Sequence, residues 1–477
     1  MSAQTPESKP HIHNNEPVTV THLPQPKVCE GYGLQPIPRE SRTGGIWPLF
    51  NIFCNYFINP GTLLTSGMMV VAGLSFQATV IIQIIAAMTG TLPLVLFSRA
   101  GVRYGIPGQV FCRAVFGIRG SQWITSTLRL LCSIYWFAFQ TAAGAMAIEA
   151  ILRNCFEMNI PLWSVSLAFA IFQGVIAIIG YHYLKWLSVY TFPIKLITFI
   201  FLIVFIINHG GSAASPAAVL QWPGIHWSWI LTATWFNTIF GSCLSIVTDA
   251  SDFSRYTRSQ RELCLGLLSG CITGITVGSI FGAYAVIAGG GSNINPFETI
   301  SVLQPDALII LLIALVVFLD NWTINVINLY TGGLSLCNTW EKLGRVWATV
   351  LVTLIASILS CFPEMINSYT HIMGAVGALF APITGVMLVW YFYQFKQIQL
   401  PGLYQKGGCY WYNGGFNGLP CLLIPMGFLL QPFLPIVFLP TLLIMSFSGL
   451  VYCLYRVCRK QTRSRLLESR SICKTRQ

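Results

Sequence analysis

Trp136 and Gln140 stand four residues apart in an apolar run covering about 121–152, so on a helix they share one face. Together they offer a flat aromatic surface and an amide that both donates and accepts. A planar heterocycle needs both, stacking over its face and hydrogen bonds at its edge. A buried Trp whose ring N–H binds Gln140 accounts for the same pair without any ligand. A second polar cluster, Asp320 to Asn328, interrupts the apolar run 303–332. A bare carboxylate there is costly, so Asp320 is expected to be protonated, paired or coordinating an ion. Asn321, Asn325 and Asn328 recur at spacings of four and three and line one helix face, toward either a pathway or a neighbouring helix. The third stretch, Phe240 to Tyr256, puts Gly241, Ser242, Ser245 and Thr248 where lipid-compatible side chains belong. Unwound backbone at the floor of a site and a close helix contact both suit such residues.

The elements that must position these residues follow from composition. Of 477 residues, 54% are hydrophobic and 9% charged, against about 25% charged in a soluble domain, so the chain is an all-α polytopic membrane protein. Apolar runs of near-spanning length fall at about 46–74, 77–98, 121–152, 160–181, 184–207, 228–250, 262–288, 303–332, 343–361, 367–392, 416–433 and 435–455, about twelve transmembrane helices. Arg99, Arg103, Arg113 and Arg119 follow the second run, Arg255, Arg258 and Arg261 the sixth, and Lys342 and Arg345 the eighth, whereas 208–226 and 289–302 hold no Lys or Arg. This asymmetry places both termini in the cytoplasm, with residues 1–44 a disordered polar tail and 456–477 a basic one. The net charge of +12 therefore reflects membrane orientation, and no nucleic-acid role is expected. The 15 cysteines show no CxxC or His/Cys metal spacing, and no nucleophile stands at recognisable spacing from a base. A membrane enzyme is not expected, nor a cofactor.

Asn59-Pro60-Gly61 lies in the middle third of the first run, where Pro removes a backbone donor and Gly tolerates non-helical conformations, so an unwound break is expected there. Gly241-Ser242 marks a matching weak point five spans later. Two interrupted spans in corresponding positions of two halves point to a transporter site at the midplane of a five-plus-five inverted repeat. The repeats are expected over 45–207 and 228–392, with two further helices over 416–455. Lys195, in the fifth run, can snorkel to the interface or neutralise an inner carboxylate, and snorkelling is the favoured expectation. Asp252 and Arg255 are spaced for an ion pair, and Asp249 is open between site and structure.

Arg113-Ala-Val-Phe-Gly-Ile-Arg-Gly, Trp136, Gly241-Ser-Cys-Leu-Ser with Asp252-Phe-Ser-Arg-Tyr, Asn321-Trp-Thr-Ile-Asn with Leu329-Tyr, and Tyr410-Trp-Tyr-Asn-Gly-Gly-Phe-Asn occur in an order and spacing that resembles the nucleobase:cation symporter-1 family. The resemblance covers almost everything after residue 45. It implies a LeuT-like transporter core with a central site; a multi-pass protein of the inner or plasma membrane is expected, with a monomer as the default. It further implies that Trp136 stacks on the substrate, that Gln140 hydrogen-bonds it, and that Gly241, Ser242 and Ser245 are broken-helix contacts. Cys243 stands where an aromatic is common, which widens the pocket. Asp320 matches a substrate-binding Asn, with Asn321 and Asn325 next in line. A carboxylate there favours a substrate edge that donates hydrogen bonds or carries positive charge, such as an aminopyrimidine, or else carries the proton. The family's sodium site maps onto Tyr56, Asn59, Thr323 and Ile324, with one hydroxyl missing, so proton coupling is placed ahead of sodium. The expected activity is import of a nucleobase or related heterocycle by symport with H+ or Na+. An amino-acid or osmolyte symporter of the same architecture is the rival.

Overall fold

In a computed structural model describing residues 32–179 and 181–474, the apolar runs form helices, because a chain in hydrocarbon must satisfy its backbone N–H and C=O groups within the protein. Among the described residues nine helices are long and apolar enough to cross a membrane, and three shorter apolar ones cover Pro60–Val71, Leu162–Gly174 and Gly418–Phe433. In chain order, α1 (Ile46–Phe57) and α2 (Pro60–Val71) share the first run, followed by α3 (Phe76–Tyr104) and the short α4 (Gly108–Phe116). Next come α5 (Ser126–Phe156), α6 (Leu162–Ile179) and α7 (Tyr181–His209). The second half holds α8 (Trp229–Leu244), α9 (Ala250–Ser254), α10 (Gln260–Ala288), α11 (Pro296–Val302), α12 (Ala307–Thr339), α13 (Gly344–Leu359) and α14 (Tyr369–Gln394). Two more, α15 (Gly418–Leu430) and α16 (Pro440–Lys474), complete the chain.

The first run breaks where Asn59-Pro60-Gly61 predicts. Ile58 and Asn59 are extended, the Asn59 Oδ1 accepts from the Thr62 N–H at 2.8 Å, and Pro60 opens α2. Asn at the N-cap and Pro at the first helical position both favour a fresh start over a continued helix. The sixth run departs from expectation. Gly241 and Ser242 are helical, and α8 ends at Leu244; Ser245 and Ile246 form the turn, Val247–Asp249 a 3₁₀ turn, and α9 follows. A Cβ on Gly241 would lie 2.9 Å from the Met373 carbonyl oxygen of α14, so this glycine serves close helix packing and is not unwound.

Five glycines at fourfold spacing, Gly266, Gly270, Gly274, Gly278 and Gly282, run along α10 against both α1 and α2. A Cβ at Gly270 would stand 2.5 Å from the Phe50 oxygen, and one at Gly282 2.6 Å from the Leu63 oxygen. The stripe seats both halves of the broken helix at a fixed depth.

Residues 1–31 of the expected tail lie outside the described residues. From there on the chain is ordered by contacts: Leu34 and Ile37 are buried, the Ile37 N–H donates to the Gly105 carbonyl at 3.0 Å, and Arg42 donates to the Val102 carbonyl at 2.7 Å. The tail boundary expected at 44 therefore falls earlier. Residues 456–474 continue the last helix, while the side chains of Lys460, Arg463 and Arg465, expected in the basic tail, lie outside the described ones.

Candidate functional site

At the level of the first break, six of the side chains expected to contact substrate or cation meet on one cavity: Trp136 and Gln140 from α5, Ser242 and Cys243 from α8, and Tyr56 and Asn59 at the α1–α2 junction. Gly61, Thr62, Thr65, Gln83, Asn328 and Tyr369 complete its polar lining, with Phe57, Ile239, Ile275 and Ile324 among the apolar walls. Among the described residues no charged side chain lines it.

The indole of Trp136 is half-buried and held at its edge: its Nε1–H donates to the Ser245 Oγ at 3.2 Å, and that hydroxyl donates to the Ser242 carbonyl at 2.6 Å. The turn that ends α8 thus orients the ring. Tyr135, Phe139 and Tyr369 meet it at 68°, 88° and 71°, so no parallel ring stacks on it among the described residues. Gln140 does not bind the indole. Its Oε1 accepts from the Gly61 N–H at 2.6 Å, one of the first-turn donors that a helix leaves unpaired. This fixes the amide so that its NH₂ group is left for the cavity. Asn328 donates to the Asn325 Oδ1 at 3.2 Å and Gln83 to the Ser66 Oγ at 2.8 Å, which leaves their carbonyl oxygens unspent. The wall therefore carries an amide donor and two amide acceptors beside an aromatic face.

Other expected contacts lie elsewhere. Ser245 acts through Trp136, as above. Asn321 donates to the Gln140 backbone oxygen at 2.8 Å and accepts from the Gln173 Nε2 at 2.9 Å; Asn325 donates to the Thr141 Oγ1 at 2.9 Å and the Asn321 Oδ1 at 2.8 Å. These two bind α12 to α5 and α6, the packing reading of the asparagine face, and neither lines the cavity. Asp320 is also absent from it. Its Oδ1 accepts from the Lys195 ammonium at 2.7 Å, both side chains are buried, and the carboxyl borders a second, smaller cavity with Pro60, Asn295 and Phe297. Lys195 does not snorkel: an inner carboxylate within reach makes pairing cheaper than extending to the interface. Thr323 spends its hydroxyl on the Leu319 and Asp320 carbonyls, each at 3.0 Å, and faces Lys195.

Asp249 does not line the cavity. It pairs with the Arg129 Nε, while the Arg129 Nη2 donates to the Thr331 Oγ1 at 3.0 Å. This buried lock ties the second break to α5 and α12. The expected Asp252–Arg255 pair is not formed among the described residues: Asp252 accepts from the Gly108 N–H at 2.7 Å, and Arg255 reaches the Gly33 carbonyl at 2.7 Å and the Tyr330 hydroxyl at 2.8 Å. Of the lining residues not predicted, Gln83 carried a signal, being a polar residue within the second apolar run. Tyr369 carried none, since an aromatic at a helix start reads as an interfacial anchor.

A family model described as "Permease for cytosine/purines, uracil, thiamine, allantoin" matches residues 36–453. The chain is 28% identical over 366 residues to a hydantoin permease of Microbacterium maritypicum, covering 72% of each chain. It is 24% identical over 410 residues to an allantoin permease of Bacillus subtilis, covering 80% of this chain and 83% of that one. Among solved structures, a nucleobase-cation-symport-1 family transporter in a closed conformation with bromovinylhydantoin bound superposes with a TM-score of 0.76 at 18% identity, covering 91% of this chain and 96% of that one. At that identity the likeness speaks to the fold: a LeuT-like fold, with which the two interrupted helices agree.

Proposed function

The chain belongs to the family of permeases for cytosine/purines, uracil, thiamine and allantoin, and from that premise we propose that it carries a small, uncharged heterocycle through the cavity beside Trp136 by alternating access. It is a transporter and not an enzyme. The carrying observation is the composition of the cavity wall: an indole face with no parallel ring against it, the Gln140 amide N–H₂, the carbonyl oxygens of Asn328 and Gln83, and no charge. A ring that presents a carbonyl to Gln140 and an N–H to Asn328 satisfies both ends and stacks on the indole. Hydantoin and allantoin, named for the two relatives above, have this pattern. The aminopyrimidine preference drawn from Asp320 loses its basis, because that carboxylate is spent on Lys195 outside the cavity. A zwitterionic amino acid would bury its charges against uncharged walls.

The driving ion is a monovalent cation, H+ or Na+. Orientation with both termini in the cytoplasm, in an inner or plasma membrane, is supported by the placement of Lys and Arg in alternate connections. Trp136→Ala tests the site: uptake of radiolabelled hydantoin or allantoin should fall at least about tenfold, roughly 1.4 kcal/mol, with surface expression retained. Undiminished uptake of both would remove the stacking role and with it the cavity as substrate site.

A further inference from the structure

The resemblance places a sodium ion between the α1–α2 break and α12, and the residues there do not fit one. Three oxygens converge at that place, the Ile58 carbonyl at the end of α1, the Asp320 Oδ1 and the Thr323 Oγ1, and the Nζ of Lys195 from α7 already sits among them at 3.2, 2.7 and 3.3 Å. An ammonium has three N–H donors, and here each finds one oxygen. The remaining expected ligands are spent or absent. The Tyr56 carbonyl accepts from the Asn59 Nδ2 at 2.5 Å, the Asn59 Oδ1 caps Thr62, and Ile324 offers no oxygen. Lys195 and Asp320 are both buried and cancel each other's charge, so an added sodium would leave a net positive charge in a low-dielectric interior, within van der Waals distance of another cation.

We propose that the Lys195 ammonium stands in for the sodium ion: a cation tethered through its own side chain joins the α1–α2 break to α12, and the protein binds and needs no sodium. The inference rests on the permease reading only for its transport consequence. The oxygen cage itself is a binding site whatever is carried. Equilibrium binding of ²²Na+ to the purified full-length protein tests it directly. No saturable binding is expected for the natural protein, and one displaceable ion per chain for Lys195→Ala, whose vacated cage keeps the carboxylate, hydroxyl and carbonyl. Lys195→Met, which fills the space without charge, should bind none. Saturable ²²Na+ binding by the natural protein overturns the proposal. So does a folded Lys195→Ala protein that binds no sodium, because the cage would then not be a cation site. If Lys195→Ala does not fold, the natural protein decides alone: uptake of radiolabelled allantoin or hydantoin into vesicles should be unchanged when choline replaces sodium, and a requirement for sodium refutes the tethered cation. Absence of any uptake would count against the permease's assumed substrates while leaving the ²²Na+ result to judge Lys195.

Discussion

The break between α1 and α2 is made by residues inside it, whereas the break between α8 and α9 is held by partners far along the chain. At the first, Asn59 caps α2 and Pro60 opens it, so the local sequence alone stops one helix and starts the next. At the second, neither Pro nor Gly stands at the turn: Ser245 and Ile246 keep near-helical angles, and Asp249 is drawn aside by Arg129, 120 residues earlier. Each break also meets a buried ion pair, but in different ways. Lys195, paired with Asp320, approaches the first from outside and donates to its Ile58 carbonyl, while Asp249 belongs to the second break itself. The first break is therefore expected to keep its shape without its ion pair, and the second to depend on its own.

Removing one partner of the second pair should therefore give the largest effect. Arg129→Ala leaves the Asp249 carboxylate buried without its cation, at a cost of about 3–5 kcal/mol. A fall in the melting temperature of the detergent-purified protein should report it, together with reduced surface expression. The double variant Arg129→Met/Asp249→Leu, which buries no charge, should recover most of that loss. An Arg129→Ala protein as stable as the natural one would show that the second break, like the first, is fixed locally.

Asn59→Ala makes the opposite comparison. It removes the side-chain cap of Thr62 and costs about 1 kcal/mol, less than Arg129→Ala, because Pro60 still forbids a continuous helix. The same thermal melt checks both. A loss equal to that of Arg129→Ala would mean that the cap, and not Pro60, makes the break.

This difference explains what the sequence disclosed. Residues 59–61 announce their break through backbone chemistry, and Trp136 with Gln140 announce a face through helical spacing. Gly241 and Ser242 advertise weakness but sit in a continuous helix, since small residues serve close packing as readily as unwinding and no local pattern separates the two. Asp320 shows its cost in an apolar run, yet its partner lies 125 residues away on α7, and pairing at that separation has no periodic signature. The asparagine face was visible as periodicity, but which helix it meets depends on how α5, α6 and α12 pack. The glycines at 266, 270, 274, 278 and 282 were the opposite case, a regular pattern whose meaning appears only beside α1 and α2.

The finest distinction between the breaks concerns what each presents to the cavity. The first presents the Gly61 N–H, which fixes Gln140 at 2.6 Å; the second presents Ser245, which fixes the edge of Trp136 at 3.2 Å. Ser245→Ala removes that edge contact, a neutral hydrogen bond at a cavity wall worth about 0.5 kcal/mol, together with the hydroxyl's local bond to the Ser242 carbonyl in the same turn. The indole stays between its edge-on neighbours Tyr135, Phe139 and Tyr369 but is less closely oriented. The expected result is unchanged thermal stability with a rise of roughly twofold in the KM for heterocycle uptake, which is about 0.5 kcal/mol expressed as affinity. Measured beside Trp136→Ala, a small KM change against a near-complete loss would show the ring to be the contact and the α8–α9 turn its positioning element. Equal losses would instead put Ser245 itself against the substrate.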